Sequence, residues 1–177
     1  MALKASIYKV NLSVANLNQH HYQNYRLTLA RHPSETENRL LVRLAGFALF
    51  SNEEPEFTKG LSTDDEPDLW VHNLTGEITH WIELGQPSDK RIRQACSKAA
   101  KVTILGYNQI KFNQWQESLD PKTRSLDKLN LILLSPLGDT QPEQVVQKNM
   151  ELSCTLQEEQ ILFTGDSAQM TYEITQL

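Results

Sequence analysis

The chain has 177 residues, of which 39% are hydrophobic and 22% charged, and this balance predicts one folded globular domain rather than a disordered chain. Its net charge of −5 argues against indiscriminate binding to nucleic acid. The longest apolar run, Leu131 to Leu134, is far too short to cross a bilayer, so we expect no membrane partner.

Alternating apolar residues predict strands at both ends of the chain. Apolar and polar side chains alternate from Tyr8 to Val14 and again from Tyr25 to Leu29, which predicts an opening antiparallel pair. The tail alternates in the same way from Met150 to Ile174. We expect these strands to form a small antiparallel sheet of their own. The expected division of the single domain, residues 1–177, is a core at about 34–149 and accessory strands at 5–30 and 150–175.

The middle of the chain begins with a predicted helix and a hairpin. Ser34 and Glu37 have the spacing of a capping box, and the helix that follows should end near Asn52. After an acidic loop, two short apolar runs, Leu69 to Asn73 and Ile78 to Leu84, are joined through Thr75-Gly76 and predict a hairpin.

Helices and strands then alternate. Pro87 and Ser88 open a second helix, followed by a strand from Val102 to Leu105 and an amphipathic segment. The continuous apolar run from Leu129 to Leu134 is typical of a strand covered on both faces, and a short helix begins near Pro142. The pattern predicts an α/β fold with a mixed central sheet flanked by helices.

Charge is distributed unevenly along this core. The segment from Gln86 to Lys111 carries six basic residues against one acid, whereas seven carboxylates face one lysine between Glu53 and Asp68. A basic helix beside an acidic loop is able to hold a metal ion next to an anionic substrate. The alternative is two solvated faces of opposite sign, and charge alone favours that alternative.

The hairpin brings two carboxylates together. If Thr75-Gly76 is a two-residue loop, Asp68 lies opposite Glu83, and opposed residues have Cβ atoms about 4.5–5.5 Å apart. Like charges at that distance repel each other, and either a divalent cation or a nearby Lys or Arg would compensate. Glu37 projects toward the buried side of the first helix, so it is either a third acid at this site or a capping residue.

Five further side chains receive structural interpretations. His80 falls on the apolar face of the hairpin and is predicted to be a hydrogen-bonded core histidine. Arg39 and Arg43 are predicted to be solvated on the polar face of the first helix. The two cysteines, Cys96 and Cys154, are predicted to be buried free thiols, which favours a reduced, cytoplasmic location.

Glu66-Pro67-Asp68 followed by Glu83-Leu84-Gly85 resembles the PD-(D/E)XK signature of restriction-endonuclease-like enzymes. In that superfamily the acids bind magnesium and the lysine orients water or stabilises charge at phosphorus. The chain also resembles the YaeQ family nearly throughout, on the motifs Ala30 to Thr36, Asp64 to Asp68 and Trp81 to Gly85. The resemblance implies a restriction-endonuclease-like fold.

Gly85 stands where the nuclease motif has its lysine, and a glycine can neither orient water nor neutralise a phosphate. Some members of the wider fold take a replacement from the following helix, where Lys90 and Arg93 are available. The leading hypothesis is a phosphodiesterase that acts on nucleic acid, with Mg²⁺ or Mn²⁺ held by Asp68 and Glu83 (and Glu37), and with Lys90 or Arg93 stabilising charge. The alternative is a catalytically inactive module that binds nucleic acid or a protein partner of unknown identity, with a regulatory role as a third possibility.

Overall fold

The computed structural model describes residues 4–59 and 65–177, and within them the backbone forms ten strands and four α-helices. The strands, in chain order, are β1 (Ser6–Asn16), β2 (His21–Arg31), β3 (Glu56–Phe57), β4 (Leu69–His72), β5 (Ile78–Leu84), β6 (Ala99–Gly106), β7 (Leu129–Leu137), β8 (Asn149–Gln157), β9 (Gln160–Thr164) and β10 (Gln169–Gln176). The helices are α1 (Glu37–Leu49), α2 (Asp89–Lys98), α3 (Gln109–Ser118) and α4 (Pro121–Arg124), with short 3-10 helices at Ser51–Glu53 and Pro142–Gln144.

All the described strands lie in one mixed sheet, in the order β2-β1-β8-β9-β10-β7-β6-β5-β4-β3. The predicted central sheet flanked by helices, with a separate small sheet from the two termini, is therefore wrong, because the chain is mostly sheet with short helices. The terminal strands do pair with each other: β1 runs antiparallel to β2 and parallel to β8. Strand β6 pairs with one edge of β7, and β10 pairs with the other edge. This second pairing joins the terminal strands to the central strands in one sheet.

Helix α1 is buried along most of its length and packs against β1, β4, β5 and β8. The predicted capping box of Ser34 and Glu37 is wrong. Thr36 is the N-cap instead, and its side chain accepts a hydrogen bond from the backbone N–H of Arg39 at 3.2 Å. The helix ends at Leu49 rather than near Asn52, since a 3-10 turn follows it.

The turn of the β4–β5 hairpin differs from the prediction. The backbone N–H of Asn73 donates to the carbonyl of Glu77, and the N–H of Gly76 donates to the carbonyl of Asn73, both at 3.0 Å. Three residues therefore form the loop, and Gly76 takes a φ of 84°. This geometry is common in three-residue hairpins, in which the last loop residue is left-handed. The predicted two-residue loop, Thr75-Gly76, is wrong.

A β-bulge next to the turn restores the predicted register. The pairs run His72↔Ile78, Val71↔His80, Trp70↔Trp81 and Leu69↔Ile82. Thr79 is thus the extra residue on β5, and its insertion compensates for the longer loop. The predicted pairing of Trp70 with Trp81 is confirmed.

Hydrophobic cores lie on both faces of β5 and β6. Ile82 and Leu105 belong to the core that includes α1, whereas Trp81 and Ile104 belong to the core beneath α2 and α3. Strands β5, β6 and β7 are parallel, so their carboxyl ends lie at one edge of the sheet. Ligands commonly bind at such an edge in proteins with parallel strands.

Cys96 and Cys154 are free thiols, and both are buried, which confirms the prediction made for them. Burial raises the pKa of the Cys96 thiol and of the Cys154 thiol above the ordinary value. None of the helices in residues 4–59 and 65–177 combines the length and apolar composition that crossing a membrane requires.

Candidate functional site

Asp68 and Glu83 lie near each other at the edge of the sheet, where β4 begins and β5 ends. Asp68 directly precedes Leu69, and Glu83 directly follows Ile82, so the two acids lie just beyond the last β4–β5 pair, Leu69↔Ile82. Both side chains are buried, with 5% of Asp68 and 8% of Glu83 exposed. A buried carboxylate needs hydrogen bonds and an opposite charge, so the partners of these acids determine what the site is able to do.

Both oxygens of Asp68 accept hydrogen bonds. Arg39 donates from Nη2 to Oδ1 at 2.7 Å, and the backbone N–H of Leu84 donates to Oδ2 at 2.8 Å. Burial alone would lower the pKa of Arg39, but the charge of Asp68, their hydrogen bond and the charge of Glu35 together raise it. Asp68 is therefore fixed in an ion pair between α1 and the end of β5.

Glu83 is held in a similar way by different residues. Trp81 donates from Nε1 to Oε2 at 2.9 Å, and Arg91 donates from Nε to Oε1. Burial raises the pKa of Glu83, the hydrogen bonds from Trp81 and Arg91 oppose that rise, and the negative charge of Asp68 adds to it. The two acids are thus close enough to influence each other electrostatically.

The two arginines reach this edge from opposite sides of the sheet. Arg39 belongs to α1, whose core includes Ile82 on β5. Arg91 belongs to α2, whose core includes Trp81, and its guanidinium carbon lies 5.7 Å from the centre of the Trp81 ring. The two acids therefore form separate ion pairs with helices on opposite sides of the sheet, which differs from the predicted placement of both carboxylates side by side on one face.

A third carboxylate does lie near Asp68, but it is Glu35 rather than the predicted Glu37. Glu37 is partly exposed and pairs with Arg31 at 2.8 Å. Glu35 is 3% exposed and accepts from Arg39 at 3.1 Å and from Arg43 at 3.1 Å. The arrangement links Glu35 through Arg39 to Asp68.

The prediction that Arg39 and Arg43 are solvated is wrong, because both are buried. A signal for this was present in the sequence. Glu35, Arg39 and Arg43 follow one another at intervals of four residues, and that interval places side chains on one face of a helix. Two arginines on one helical face, with an acid one turn before the first of them, indicate an ion-pair network, although Glu35 itself precedes the N-cap Thr36.

The two basic residues predicted to replace the motif lysine do not contact the acids. Lys90 is exposed, and Arg93 is exposed and donates to the Thr123 hydroxyl at 3.2 Å. Arg91, between them, is the α2 residue that reaches Glu83, and it also donates from Nη2 to the Glu66 carbonyl at 2.8 Å. The interval from Arg91 to the buried Ala95 is one helical turn, which places Arg91 beside the packed face.

Gly85, at the lysine position of the motif, has a backbone conformation that explains the glycine. Its φ is 99°, a region that other residues rarely adopt, and its N–H donates to the Leu105 carbonyl at 2.9 Å. A Cβ built on Gly85 would meet no atom within 4 Å. A lysine here would therefore find space but would strain the backbone.

His80 is a core histidine bound by hydrogen bonds, as predicted. It is fully buried, with Nδ1 2.8 Å from Oε2 of Glu53 and Nε2 2.8 Å from the hydroxyl of Thr103. The hydrogen bond to His80 lowers the pKa of Glu53 against the opposing effect of burial. Thr103 is also fully buried, so this acid–histidine–hydroxyl chain stabilises the junction of β5, β6 and the 3-10 turn after α1.

The resemblance to nucleases implies a divalent cation between Asp68 and Glu83, and the present partners do not fit one. Each of the four carboxylate oxygens already accepts a hydrogen bond, and two of the donors are guanidinium groups. Among residues 4–59 and 65–177, no three His, Cys, Asp or Glu side chains are grouped closely enough to hold a metal ion. The Mg²⁺ or Mn²⁺ site at Asp68, Glu83 and Glu37 stays a prediction.

Comparisons with known proteins agree with the resemblance seen in the sequence. A family model described as "YaeQ protein" matches residues 1–174. The chain is 35% identical over 175 residues to the "Uncharacterized protein YaeQ" of Escherichia coli (strain K12), covering 99% of this chain and 97% of that protein. Its relative of the same name in Salmonella typhi has the same identity and coverage.

Solved structures of two further relatives share the fold. The crystal structure of YaeQ protein from Xanthomonas axonopodis pv. citri has a TM-score of 0.87 and 34% identity, covering 97% of each chain. That of YaeQ protein from Pseudomonas syringae has a TM-score of 0.85 and 28% identity, covering 98% of this chain and 96% of the other. The matches span nearly the whole sequence, and this chain belongs to the YaeQ family.

Proposed function

We propose that this protein binds the phosphate backbone of a nucleic acid on the surface that α2 and α4 form beside Glu83. In this proposal the site derives from a PD-(D/E)XK nuclease site, and its two acids pair with arginines. Because the two cysteines are free, we also propose a cytoplasmic location. One observation carries the proposal, namely a local excess of positive charge on an acidic protein.

The basic surface consists of α2 and of α4 with its flanking turns, residues 89–98 and 119–128. These segments carry seven basic and three acidic side chains, a local charge of +4 in a chain of net charge −5. The Asp89 carboxylate accepts from the backbone N–H of Asp120 at 3.0 Å, and the Asp120 carboxylate accepts from the backbone N–H of Lys122 at 2.8 Å. Exposed cations meanwhile project outward, among them Lys90, Arg93 and Lys122.

Such a surface attracts phosphates, and Arg91 lies at its inner border with 23% of its side chain exposed. A phosphate chain that follows the exposed cations would release counterions, so its affinity should fall steeply with salt. The proposal therefore concerns the backbone of the nucleic acid and predicts weak dependence on base sequence.

Neutralising the basic surface is expected to weaken binding. In a Lys90→Gln/Arg93→Gln/Lys122→Gln variant, affinity for DNA and RNA oligonucleotides, measured by fluorescence anisotropy at about 50 and 200 mM salt, should fall about tenfold or more at the lower salt. The slope of log affinity against log salt for duplex DNA should become shallower by about 2 to 3, since three phosphate contacts are lost.

A matched control is available at the far side of the sheet. Lys9, Arg26 and Lys148 are exposed on β1, on β2 and before β8, and changing all three to Gln alters the net charge by the same amount. This control should bind like the unchanged protein. Equal loss of affinity in both triple variants would show that only net charge matters, and unchanged affinity in the α2–α4 variant would refute the proposed surface.

Hydrolysis of phosphodiesters, the function predicted first from the sequence, is the second candidate. It rests on the resemblance of the sequence to the nuclease motif and on the position of Asp68 and Glu83 beside the last β4–β5 pair. The test is incubation of DNA and RNA substrates with the purified protein and Mn²⁺, in parallel with Glu83→Ala. Cleavage that the substitution abolishes would establish hydrolysis, whereas equal cleavage by both proteins, or none, would remove it and leave backbone binding.

A further inference from the structure

Three acids and three arginines form a cluster of ion pairs around the end of β5, and all of them are buried except Arg91, which is partly exposed. The acids are Glu35, Asp68 and Glu83, and the arginines are Arg39, Arg43 and Arg91. Arg39 joins two of the acids, with Nη1 3.1 Å from Glu35 and Nη2 2.7 Å from Asp68. The formal charges of the cluster sum to zero, as a buried cluster requires.

We infer that the guanidinium groups of Arg39 and Arg91 take the place that a divalent cation has in nuclease-type sites of this kind, so that the protein holds its opposed acids without a metal. Arg39 supplies the positive charge at Asp68, and Arg91 supplies it at Glu83. The inference concerns charge compensation alone and does not depend on nucleic-acid binding.

Charge rather than the number of lone pairs is the obstacle to a metal. Each carboxylate oxygen has two acceptor sites, and each oxygen of Asp68 and Glu83 uses one of them in the four hydrogen bonds described above. A divalent cation at Asp68 would lie beside the charge of Arg39, and one at Glu83 would lie beside the charge of Arg91, and like charges repel strongly where the site is shielded from water. It would bind only if an arginine left the acids.

The direction of the pKa change at Arg39 agrees with this assignment. Burial would lower the pKa of the guanidinium, yet the charge and hydrogen bond of Asp68 raise it, so Arg39 stays charged inside the protein. Arg39 also donates to Glu35, which Arg43 binds in turn. The two terminal nitrogens of the Arg39 guanidinium are thus bound by two different acids, which holds the group in one orientation.

Replacing either arginine is expected to create a response to metal. The unchanged protein should show no change in Tm with Mn²⁺. Arg39→Met should have a lower Tm, because Asp68 loses its cation, and Mn²⁺ at about a hundred times its Kd should raise that Tm by at least about 5 °C. Adding Asp68→Asn to Arg39→Met should abolish the rise.

Arg91→Met provides a second variant that leaves α1 intact, and it is milder because Arg91 is partly exposed. Its Tm should also rise with Mn²⁺, through Glu83. Arg93→Met removes the same charge from the same helix without touching the acids, and its Tm should not respond to Mn²⁺. If Arg39→Met does not fold, the Arg91→Met result decides the question.

Two outcomes would overturn the inference. One is a calorimetric titration in which the unchanged protein binds Mn²⁺ with a heat that Asp68→Asn or Glu83→Gln removes, because the metal and the arginines would then coexist. The other is the absence of any Mn²⁺ response in both arginine variants. Neither measurement involves nucleic acid, so failure here is distinguishable from failure of the proposed function.

Discussion

Replacing Glu35 by Gln is expected to lower the free energy of unfolding by about 3–5 kcal/mol, the range seen when one partner of a buried ion pair is removed. Glu35 is almost fully buried and binds Arg39 and Arg43. The substitution keeps the shape of the side chain but removes its charge. Arg39 retains Asp68, whereas Arg43 is left with the Ala30 carbonyl and the ring of Phe57.

Chemical denaturation monitored by circular dichroism measures this loss, and Glu37→Gln is its control. Glu37 lies two residues away, at the first position of α1, yet its pair with Arg31 is partly exposed. Pairs of that kind contribute about 0–1 kcal/mol, so the control should lose no more than that. If the two substitutions had equal effects, Glu35 would not be the centre of a buried network.

The sequence was most informative about the part of the site that depends on strand pairing. The register of β4 and β5 followed from the hairpin pattern, because side chains alternate and a register fixes which of them meet. The pattern did not predict that the partners of Asp68 and Glu83 lie on opposite sides of the sheet. The register was right although the turn was wrong: the three-residue loop and the bulge at Thr79 shift the pairing in compensating directions.

The contacts of helical residues were harder to predict. A helical wheel gives the direction of a side chain around the helix axis, but it does not give the residue that the side chain contacts. Arg91 and Arg93 both border the buried stripe formed by Ile92, Ala95 and Cys96, and they differ only in the side on which they lie. Which of them reaches Glu83 depends on how α2 lies across the sheet. The local pattern holds no information about that orientation, which is why the sequence prediction names Lys90 and Arg93 rather than Arg91.

The sheet shows the same limit on a larger scale. Alternation correctly predicted β1 and β2 as an antiparallel pair and placed further strands in the tail. Alternation could not predict the partner of each strand. A strand with alternating apolar residues buries its apolar face equally well beside any other strand that alternates in the same way. The pairing of β10 with β7 and of β1 with β8 is long-range, and it joins what the sequence suggested were two sheets into one.

A second large effect is expected at the other side of the same sheet edge, where Gly106 ends β6. A Cβ built on Gly106 would lie 2.2 Å from the Phe112 ring, and Phe112 is fully buried. Phe112 packs against Trp115, whose Nε1 donates to the Pro87 carbonyl at 2.8 Å, so the ring is held on that side by a fixed neighbour. Gly106→Ala should therefore cost about 3 kcal/mol of unfolding free energy, at the upper end of the usual range for overpacking.

Gly165→Ala is the matched control, because a Cβ there would meet its nearest atom, Cδ2 of Leu152, at 3.4 Å. We expect it to change the unfolding free energy by less than about 1 kcal/mol. The cause of the Gly106 effect can be separated from a general loss of glycine flexibility by a double-mutant cycle with Phe112→Ala. If the methyl group acts through the ring, Gly106→Ala should cost little once the ring is gone, with a coupling energy of about 2 kcal/mol. Additive effects would instead show that the backbone of β6, and not its contact with α3, requires the glycine.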